Sequence, residues 1–391
     1  MNETMQKVKV LQVIESTGKS GPRYLLGSLV HNLNKDRFEI EVICSNLRDK
    51  GFNKDIQKMR EAGIKVSVLR MRRNISVLSD LIAFFKLFLY IKKGRYDIVH
   101  THGSKAGVLG RIAARLTGVK VIIHTPHCFC FMAADIAKLK KLFYFYIEKF
   151  AALFCDKIIA VSESQRQDIL KRKLTNIKKV ITIENGVDIN KFGNNGFDIS
   201  RKKKGLGLND SSVILGTVGV LNESKGQRYL IEAVSQVIKD GFDVNLLIAG
   251  EGPLRKDLET FSDKLGLNGR MKLLGFREDI PEVLSVMDIF VFPSLWEGMP
   301  LAVLEAMSSS LPVISTNVHG AVDLIQDNKR GILVQRKDAK GIAEAIRYLI
   351  SNHNEAKRIG QEAKELIQRN YTLEKQISRI RNLYDASMAR D

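Results

Sequence analysis

The sequence predicts an α/β protein built from two doubly wound parallel sheets. Short β-branched and apolar runs alternate with amphipathic segments, and the alternation starts again after a polar, Gly-rich stretch at 193–212. Such alternation is typical of parallel sheets that are covered by helices on both faces. The 391 residues are also too many for one ordinary core, and they suit two domains of ~150–200 residues each.

The first half opens with the run VKVLQVI, which predicts a buried strand, followed by a Gly-containing loop and a helix in which Pro22 suits the first turn. Further strands are predicted in FEIEVICS, IKVSVLR, YDIVHTHG, VKVIIHTPH, DKIIAVSES and KVITIENG. The segment KAGVLGRIAARLTG predicts a helix between two of them. We therefore expect an N-terminal domain over 1–192, with a C-terminal helix at about 372–391 packing back on it.

The stretch 193–212 is polar, Gly-rich and basic, and it predicts a linker. The alternation then resumes in VILGTVGVL, KGQRYLIEAVSQVIKDG, VNLLIAGEG and PLRKDLETFSDKLGL, and continues to a helical tail. These segments predict a second domain over 213–371. Ligands of such sheets bind at the carboxyl ends of the strands, so two facing domains would place a cleft between two such edges.

The charge is high and unevenly distributed. The chain carries a formal net charge of +19, and residues 51–150 hold 19 Lys and Arg against 6 Asp and Glu. A surface of this kind attracts nucleic acid, anionic lipid or phosphorylated substrates. The four cysteines lack zinc-site spacing, the N-terminus lacks a signal-peptide core, and no apolar stretch is long enough to span a membrane. We therefore expect a cytoplasmic protein, either free or on a membrane surface.

The segment PSLWEGMPLAVLEAMSSSLPVIST is the strongest candidate for a site. Glu297 lies in a strand-to-helix loop, Pro300 fits the first turn of the helix, and Glu305 lies further along it. The free N–H groups at this helix end favour an anion, and the carboxylates would accept hydrogen bonds from ligand hydroxyls. A nucleotide-sugar offers a diphosphate, a ribose and a hexose. The alternative is that both glutamates are ordinary solvated side chains.

At this point the sequence resembles the family-4 retaining glycosyltransferases of the GT-B fold, over nearly the whole chain. The segment just quoted resembles the family's E-x7-E motif. The blocks HTHGSKAGVLGRIAARLTGVKVIIHTPH, AVSESQRQDIL, IENGVDINKF, KGQRYLIEAV, IAGEGPLRKDL and GFREDIPEVLSVMDIFVFPS match family blocks in the expected order. The resemblance implies an N-terminal acceptor-binding domain and a C-terminal nucleotide-sugar-binding domain, both Rossmann-like and facing across a cleft.

The resemblance also implies roles for individual residues. Glu297 would hold the donor hexose near the anomeric centre, Glu305 would bind the ribose hydroxyls, and His127 would lie near the donor sugar. Glu297 and His127 are therefore the predicted catalytic residues. The other matched positions are Gly18 and Gly21 in the first-domain loop, Lys225 as a cation on the diphosphate, Phe276 and Arg277 near the base, and Gly298, Met299, Pro300 and Leu301 as the segment that supplies amides to the diphosphate. Taken singly, each could be structural: a tight turn, a surface charge or a strand-end packing residue.

Three departures from the family pattern stand out. Val220 replaces an Arg that joins the Lys on the diphosphate, Cys128 follows His127 where the family has Gly, and Asp323 stands where Glu is common. The chain contains no Asp-x-Asp, so a metal-clamped diphosphate is not indicated and no cofactor or metal is expected. Retention through a front-face substitution is what the family implies, and the sequence identifies no nucleophile.

Two basic and aromatic stretches, 70–96 and 129–154, are typical of interfacial helices and predict docking on an anionic membrane surface. Their apolar faces could instead pack on the sheet. The prediction is thus a hexosyltransferase that uses a nucleotide-diphosphate sugar, with UDP the expected nucleotide. Its acceptor would be a lipid-linked or other glycan at the cytoplasmic membrane face, as in bacterial surface polysaccharide synthesis. One alternative is a GT-B-fold nucleotide-sugar epimerase. A basic nucleic-acid-binding protein is disfavoured, because the aromatic residues fall in amphipathic helices and Lys dominates over Arg.

Overall fold

The computed structural model of the chain describes residues 6–15, 21–47, 51–72, 74–133, 136–193, 196–209, 211–267, 269–325 and 329–389. Their strands are β1 (Val8–Ile14), β2 (Phe38–Cys44), β3 (Lys65–Val68), β4 (Ile98–His102), β5 (Val121–Thr125), β6 (Lys157–Ala160), β7 (Val180–Thr182), β8 (Val213–Val218), β9 (Val244–Ala249), β10 (Met271–Gly275), β11 (Ile289–Phe292), β12 (Val313–Thr316) and β13 (Ile332–Val334). Their helices are α1 (Gly21–Asn32), α2 (Phe52–Glu61), α3 (Val77–Gly94), α4 (Ser104–Leu116), α5 (Lys138–Ala151), α6 (Glu163–Lys171), α7 (Ile199–Gly205), α8 (Gln227–Lys239), α9 (Arg255–Lys264), α10 (Ile280–Ser285), α11 (Leu301–Ser308), α12 (Ala321–Leu324), α13 (Ala339–Ser351), α14 (His353–Asn370) and α15 (Leu373–Met388).

The chain divides into two compact units. The first comprises Met1–Met132, Ile136–Glu184 and Lys375–Asp391, and the second is built on Asn185–Glu374. Within the described residues, the first unit has a sheet in the order β3-β2-β1-β4-β5-β6-β7 and the second a sheet in the order β10-β9-β8-β11-β12-β13. The paired strands run parallel in both. The predicted pair of doubly wound α/β sheets is therefore confirmed.

The first sheet is covered on both faces, which explains why the central strands β1, β4 and β5 are buried along nearly their whole length. One core cluster joins strand residues to Ile380, Leu383 and Tyr384 of α15, and another joins them to α3 and α4. Helix α4 packs close to the sheet through glycines. A Cβ at Gly107 would lie 2.4 Å from His124 Cε1, so a larger residue there would displace that imidazole.

The predicted linker at 193–212 contains helix α7 and belongs to the second unit. The side chain of Asp198 caps this helix by accepting a hydrogen bond from the Arg201 N–H at 2.9 Å. Lys202 binds Asp279 and also lies 2.7 Å from Glu282. The Lys-rich stretch thus forms a short helix held by ion pairs to α10. The continuous N-terminal part of the first unit ends at Glu184, before the predicted boundary at 192.

Candidate active site

The glutamate of the β11–α11 loop is paired with a lysine. Lys225 Nζ lies 2.5 Å from Glu297 Oε1, and Ser294 Oγ donates to the same oxygen at 3.0 Å. Both charged side chains are mostly buried, with 23% and 15% of their surface exposed. The Lys225 ammonium also lies 5.4 Å from the centroid of the Phe292 ring. The two residues were predicted separately, and the structure brings them into one ion pair.

The turn after Lys225 explains how this pair forms. Gly226 has φ +62, a left-handed conformation that glycine adopts readily, and a Cβ there would lie 2.2 Å from Pro293 O. The Leu295 N–H donates to Ser224 O at 2.8 Å, which ties the same turn to the end of β11. The Lys225 side chain therefore starts beside the loop that carries Glu297. A residue larger than Gly at 226 would separate the two.

The N-terminus of α11 offers free hydrogen-bond donors. Pro300 is the N-cap, one position before the predicted first turn, and its carbonyl accepts from Val303 and Leu304. Within the described residues, the N–H groups of Leu301 and Ala302 have no acceptor. The first N–H groups of a helix point along its axis at the positive end of the dipole. This end is consequently suited to an anion such as a diphosphate.

The loop before α11 is held from two sides. Asn185 is buried, and its side-chain amide donates to Met299 O at 3.1 Å. Gly320 approaches so closely that a Cβ would lie 2.7 Å from Met299 Cα and 2.8 Å from Gly298 O. Sequence reasoning gave no role to Asn185. Its position in the matched block IENGVDINKF was the available signal, since a buried Asn needs partners.

Glu305 lies one turn into α11 on its less buried side. Leu301, Ala302 and Glu305 are partly exposed, whereas Val303, Leu304, Ala306 and Met307 are buried. Within the described residues, no group donates a hydrogen bond to the Glu305 carboxyl. Burial without a partner raises the pKa of Glu305 to about 7. The carboxyl therefore lacks the donors that ligand hydroxyls would supply.

The residues predicted near the base, Phe276 and Arg277, follow strand β10. Phe276 is exposed. Arg277 binds Asp279 through two nitrogens, at 2.7 and 2.5 Å, and this guanidinium lowers the pKa of Asp279 to about 2. Arg277 is thus engaged within its own loop, so it is poorly placed to replace the family Arg that is missing at Val220. The Val220 carbonyl accepts from Gln227 Nε2 at 3.0 Å.

In the first unit, His127 has an unusual backbone. Its φ of 56 is left-handed, a conformation that costs a non-Gly residue on the order of 1 kcal/mol. Gln165 Nε2 donates to its carbonyl at 3.2 Å. Burial, reinforced by His124, lowers the pKa of His127 to about 3, so its imidazole is neutral. Cys128, which replaces the family Gly, has no positive φ, so the strained position is the histidine itself.

The ring of His127 is bound to a neighbouring histidine. His127 Nε2 lies 3.3 Å from His102 Nδ1, and His102 Nε2 lies 2.8 Å from Gln12 Oε1. Both nitrogens of His102 are therefore engaged inside the protein. Gly21 is the first residue of α1. Gly18 lies outside the described residues.

Helices α3 and α5 carry exposed apolar residues, and both pack on α4. On α3 these are Val77, Leu78, Leu81, Ile82, Phe85 and Leu89, and on α5 they are Leu139, Leu142, Phe143, Tyr146 and Phe150. Exposed lysines accompany them, at Lys86, Lys92, Lys93, Lys138, Lys140 and Lys149. A large part of the apolar surface of each helix is therefore exposed rather than packed on the sheet. None of the helices in the described ranges is long and apolar enough to cross a membrane.

Comparisons with known proteins identify the family. The family model described as "Glycosyltransferase Family 4" matches residues 21–191, and the one described as "Glycosyl transferases group 1" matches residues 198–366. The Escherichia coli UDP-Gal:alpha-D-GlcNAc-diphosphoundecaprenol alpha-1,3-galactosyltransferase is 34% identical over 390 residues, 98% of both chains. The Staphylococcus aureus capsular polysaccharide biosynthesis glycosyltransferase CapM is 29% identical over 94% of both chains.

A solved structure shows the same fold. The crystal structure of Anabaena HepE in complex with UDP-glucose superimposes with a TM-score of 0.83 at 22% identity, covering 97% of this chain and 99% of the other. The two parallel-sheet units match the GT-B arrangement of secondary structure. The chain is therefore a glycosyltransferase of family 4 with the GT-B fold.

Proposed function

We propose that this glycosyltransferase transfers a hexose from a UDP-sugar to a lipid-linked glycan acceptor, with retention of anomeric configuration and without a metal. The donor and acceptor classes rest on relatives: the E. coli enzyme is named for UDP-Gal and a diphosphoundecaprenol acceptor, and HepE was crystallised with UDP-glucose. The relationship to CapM favours a place in bacterial surface polysaccharide synthesis.

The observation that carries the proposal is the arrangement around α11. A Lys–Glu pair, free helix N–H groups and a carboxyl without donors lie on neighbouring residues of one unit. The diphosphate would accept from Leu301 and Ala302 and take Lys225 as its counter-cation. Glu305 would accept from the ribose hydroxyls. Each protein group then pairs with the part of the donor whose chemistry matches it.

The Lys225–Glu297 contact gives donor binding a specific consequence. The lysine neutralises Glu297 in the structure, and it would be shared with the diphosphate once the donor is bound. Glu297 would then be available to a hexose hydroxyl near the anomeric centre. During transfer, negative charge develops on the departing UDP, and Lys225 and the helix N–H groups would offset it. We assign no nucleophile, which fits a front-face substitution.

A panel of UDP-sugars tests the donor and the stereochemistry. The protein is incubated with UDP-galactose, UDP-glucose or UDP-N-acetylglucosamine and a GlcNAc-diphospholipid acceptor, with and without EDTA. We expect an acceptor-dependent product with one donor, an α-anomeric proton coupling, and the same rate with EDTA. A β-linked product would contradict retention, and loss of activity with EDTA would contradict metal independence. Conversion of the UDP-sugar to its epimer without acceptor would favour the epimerase alternative.

We also propose that the exposed faces of α3 and α5 dock on an anionic membrane. Apolar side chains flanked by lysines suit the boundary between lipid headgroups and acyl chains. Each Lys near an anionic surface contributes on the order of 1 kcal/mol. A Phe85→Asp/Leu142→Asp variant should therefore lose co-sedimentation with anionic liposomes, while Tyr348→Asp in the second unit should retain it. Equal sedimentation of all three proteins, or none for the wild type at low salt, would contradict docking.

A further inference from the structure

A buried polar chain in the first unit leads from helix α15 to His127. Gln12, His100 and Tyr384 have no exposed surface, and His102 has 5%. The Gln12 side chain joins Tyr384 on one side to His102 on the other, and His102 joins His127. Of this set, the family resemblance implies a role only for His127.

The amide of Gln12 gives the chain a direction. Its oxygen lies 2.8 Å from His102 Nε2, and its nitrogen donates to the Tyr384 hydroxyl at 2.9 Å. An amide oxygen only accepts, so His102 Nε2 carries the proton and His102 Nδ1 is left as an acceptor. His127 Nε2, which faces that Nδ1 at 3.3 Å, must then be protonated in turn.

The other end of the chain is consistent with this direction. Because the Tyr384 hydroxyl accepts from Gln12, its own hydrogen is available to His100 Nδ1 at 2.6 Å. His100 Nε2 can then donate to Thr125 Oγ1 at 2.8 Å. Each contact has one donor and one acceptor. Burial keeps the pKa values of His100 and His102 well below the ordinary range, so both rings remain neutral and each carries one proton.

One nitrogen of the His127 ring takes no part in this hydrogen-bond chain. His127 Nδ1 is shielded from solvent and has no hydrogen-bond partner among the described residues. Buried polar atoms of this kind are rare, because an unpaired acceptor loses its bonds to water without replacement. The left-handed backbone of His127 is a second unusual feature, and such strain persists only where the surroundings impose it.

We propose that Gln12, Tyr384 and His102 are positioning residues that hold His127, a predicted catalytic residue, in its Nε2–H tautomer, leaving Nδ1 as a hydrogen-bond acceptor. The catalytic role of His127 rests on the family resemblance and on the proposed function. The tautomer does not, because it follows from the hydrogen-bond chain alone. The C-terminal helix α15 thereby contributes to the site through Tyr384.

The tautomer of His127 can be measured directly in the full-length protein. Two-bond 1H–15N correlations of the histidine rings distinguish Nε2–H from Nδ1–H, and a His127→Asn variant assigns the His127 signals. We expect the neutral Nε2–H form of His127 to dominate in the wild type at pH 7.5. A dominant Nδ1–H form, or an equal mixture, would overturn the proposal without any appeal to activity.

A variant of Tyr384 tests whether the hydrogen-bond chain determines the tautomer of His127. In Tyr384→Phe, the Gln12 amide loses its acceptor and can turn its nitrogen toward His102, which reverses every bond as far as His127. We expect Nδ1–H to appear, with kcat falling about two- to tenfold as the competent fraction shrinks. Tyr96→Phe is the matched control, since Tyr96 is also buried and its hydroxyl bonds Glu41 at 2.6 Å. This control should lose stability while leaving the His127 tautomer and kcat unchanged.

The possible outcomes separate the two claims. An unshifted His127 tautomer in folded Tyr384→Phe would overturn the positioning role of Gln12 and Tyr384. If the tautomer shifts while kcat is unchanged, the hydrogen-bond chain does set the tautomer, and the catalytic role of His127 Nδ1 is overturned. If Tyr384→Phe does not fold, Gln12→Met replaces it as the test. Met has a similar volume and lacks the amide oxygen and nitrogen of Gln12, so we expect the same loss of the Nε2–H preference at His127.

Discussion

The candidate residues of the two units differ in how their polar groups are paired. In the first unit, His127 is the end of a chain in which Tyr384, Gln12 and His102 satisfy one another. In the second unit, the Glu305 carboxyl and the first N–H groups of α11 have no protein partner within the described residues. Groups that are already paired orient a side chain, whereas unpaired groups await a ligand. We infer that the first unit is set before the donor binds and that the second is completed by it.

The largest expected effect concerns acid stability. The pKa of His124 is lowered to about 4 and that of His127 to about 3, and those of His100 and His102 are well below the ordinary value. A histidine with a depressed folded pKa contributes stability above its unfolded pKa of ~6.5 and loses it as pH falls toward the folded pKa. His124 and His127 alone should lower the free energy of unfolding by up to about 3 kcal/mol per pH unit between pH 6 and 4, and His100 and His102 act in the same direction.

The titration of Glu305 should change the free energy of unfolding in the opposite direction. Its pKa is raised to about 7, so its contribution is full below ~4.5 and is lost as pH rises through 7. Urea unfolding followed by circular dichroism and by the fluorescence of Trp296, the only Trp and part of the second unit, checks the contrast. We expect acid to destabilise the first unit more. A Trp296 transition that shifts first, or equally, on acidification would contradict this.

The second prediction concerns transfer. Glu297→Gln removes the charge that pairs with Lys225 and the proposed contact to the hexose, so kcat should fall by about 10²–10³. Glu344→Gln is the control, because Glu344 is an exposed carboxylate of the same unit that also lies near a lysine, Lys340. The rate of UDP release is measured together with thermal unfolding. A folded Glu297→Gln protein with wild-type turnover would remove Glu297 from the site.

The third prediction concerns the histidine of the first unit. His127→Ala should lower kcat by about tenfold to a hundredfold, because the acceptor Nδ1 is lost while the donor groups of the second unit remain. The affinity for UDP, which lacks the hexose, should be unchanged. Steady-state kinetics and a UDP titration of the same preparation make the check. A weakened affinity for UDP with an unchanged kcat would place His127 at the nucleotide instead.

The fold and the local elements followed from periodicity, whereas the pairings did not. Strands buried on both faces read as apolar runs, and Pro300 marked the start of α11 to within one residue. The contact between Lys225 and Glu297, and that between Tyr384 and Gln12, join segments far apart in the chain, so no local pattern announces them. The helix α7 within the predicted linker 193–212 was not anticipated, for a similar reason. The Gly and Lys content of this segment predicted a linker, whereas the partners that hold α7 lie far along the chain, at Asp279 just before α10 and at Glu282 within it.

The smallest predicted effect is the pH dependence of UDP-sugar affinity. It tests whether the unpaired carboxyl of Glu305 binds the donor. The ribose hydroxyls would donate to ionised Glu305, so UDP-sugar affinity should weaken as pH falls below 7, by at most tenfold per unit. The diphosphate of a UDP-sugar carries no group that titrates there, so the pH dependence belongs to the protein. Calorimetric titrations at several pH values should show this slope in the wild type and none in Glu305→Gln. An equal slope in both proteins would assign it to another group.

The most direct test is a structure of the protein with an intact UDP-sugar bound. We predict that the ribose hydroxyls lie within hydrogen-bond distance of the Glu305 carboxylate and that the diphosphate accepts from the N–H groups of Leu301 and Ala302. Lys225 should lie between a phosphate oxygen and Glu297. A UDP-sugar bound elsewhere, or bound with Glu305 and the α11 N-terminus still unpaired, would contradict the view that the donor completes the second unit.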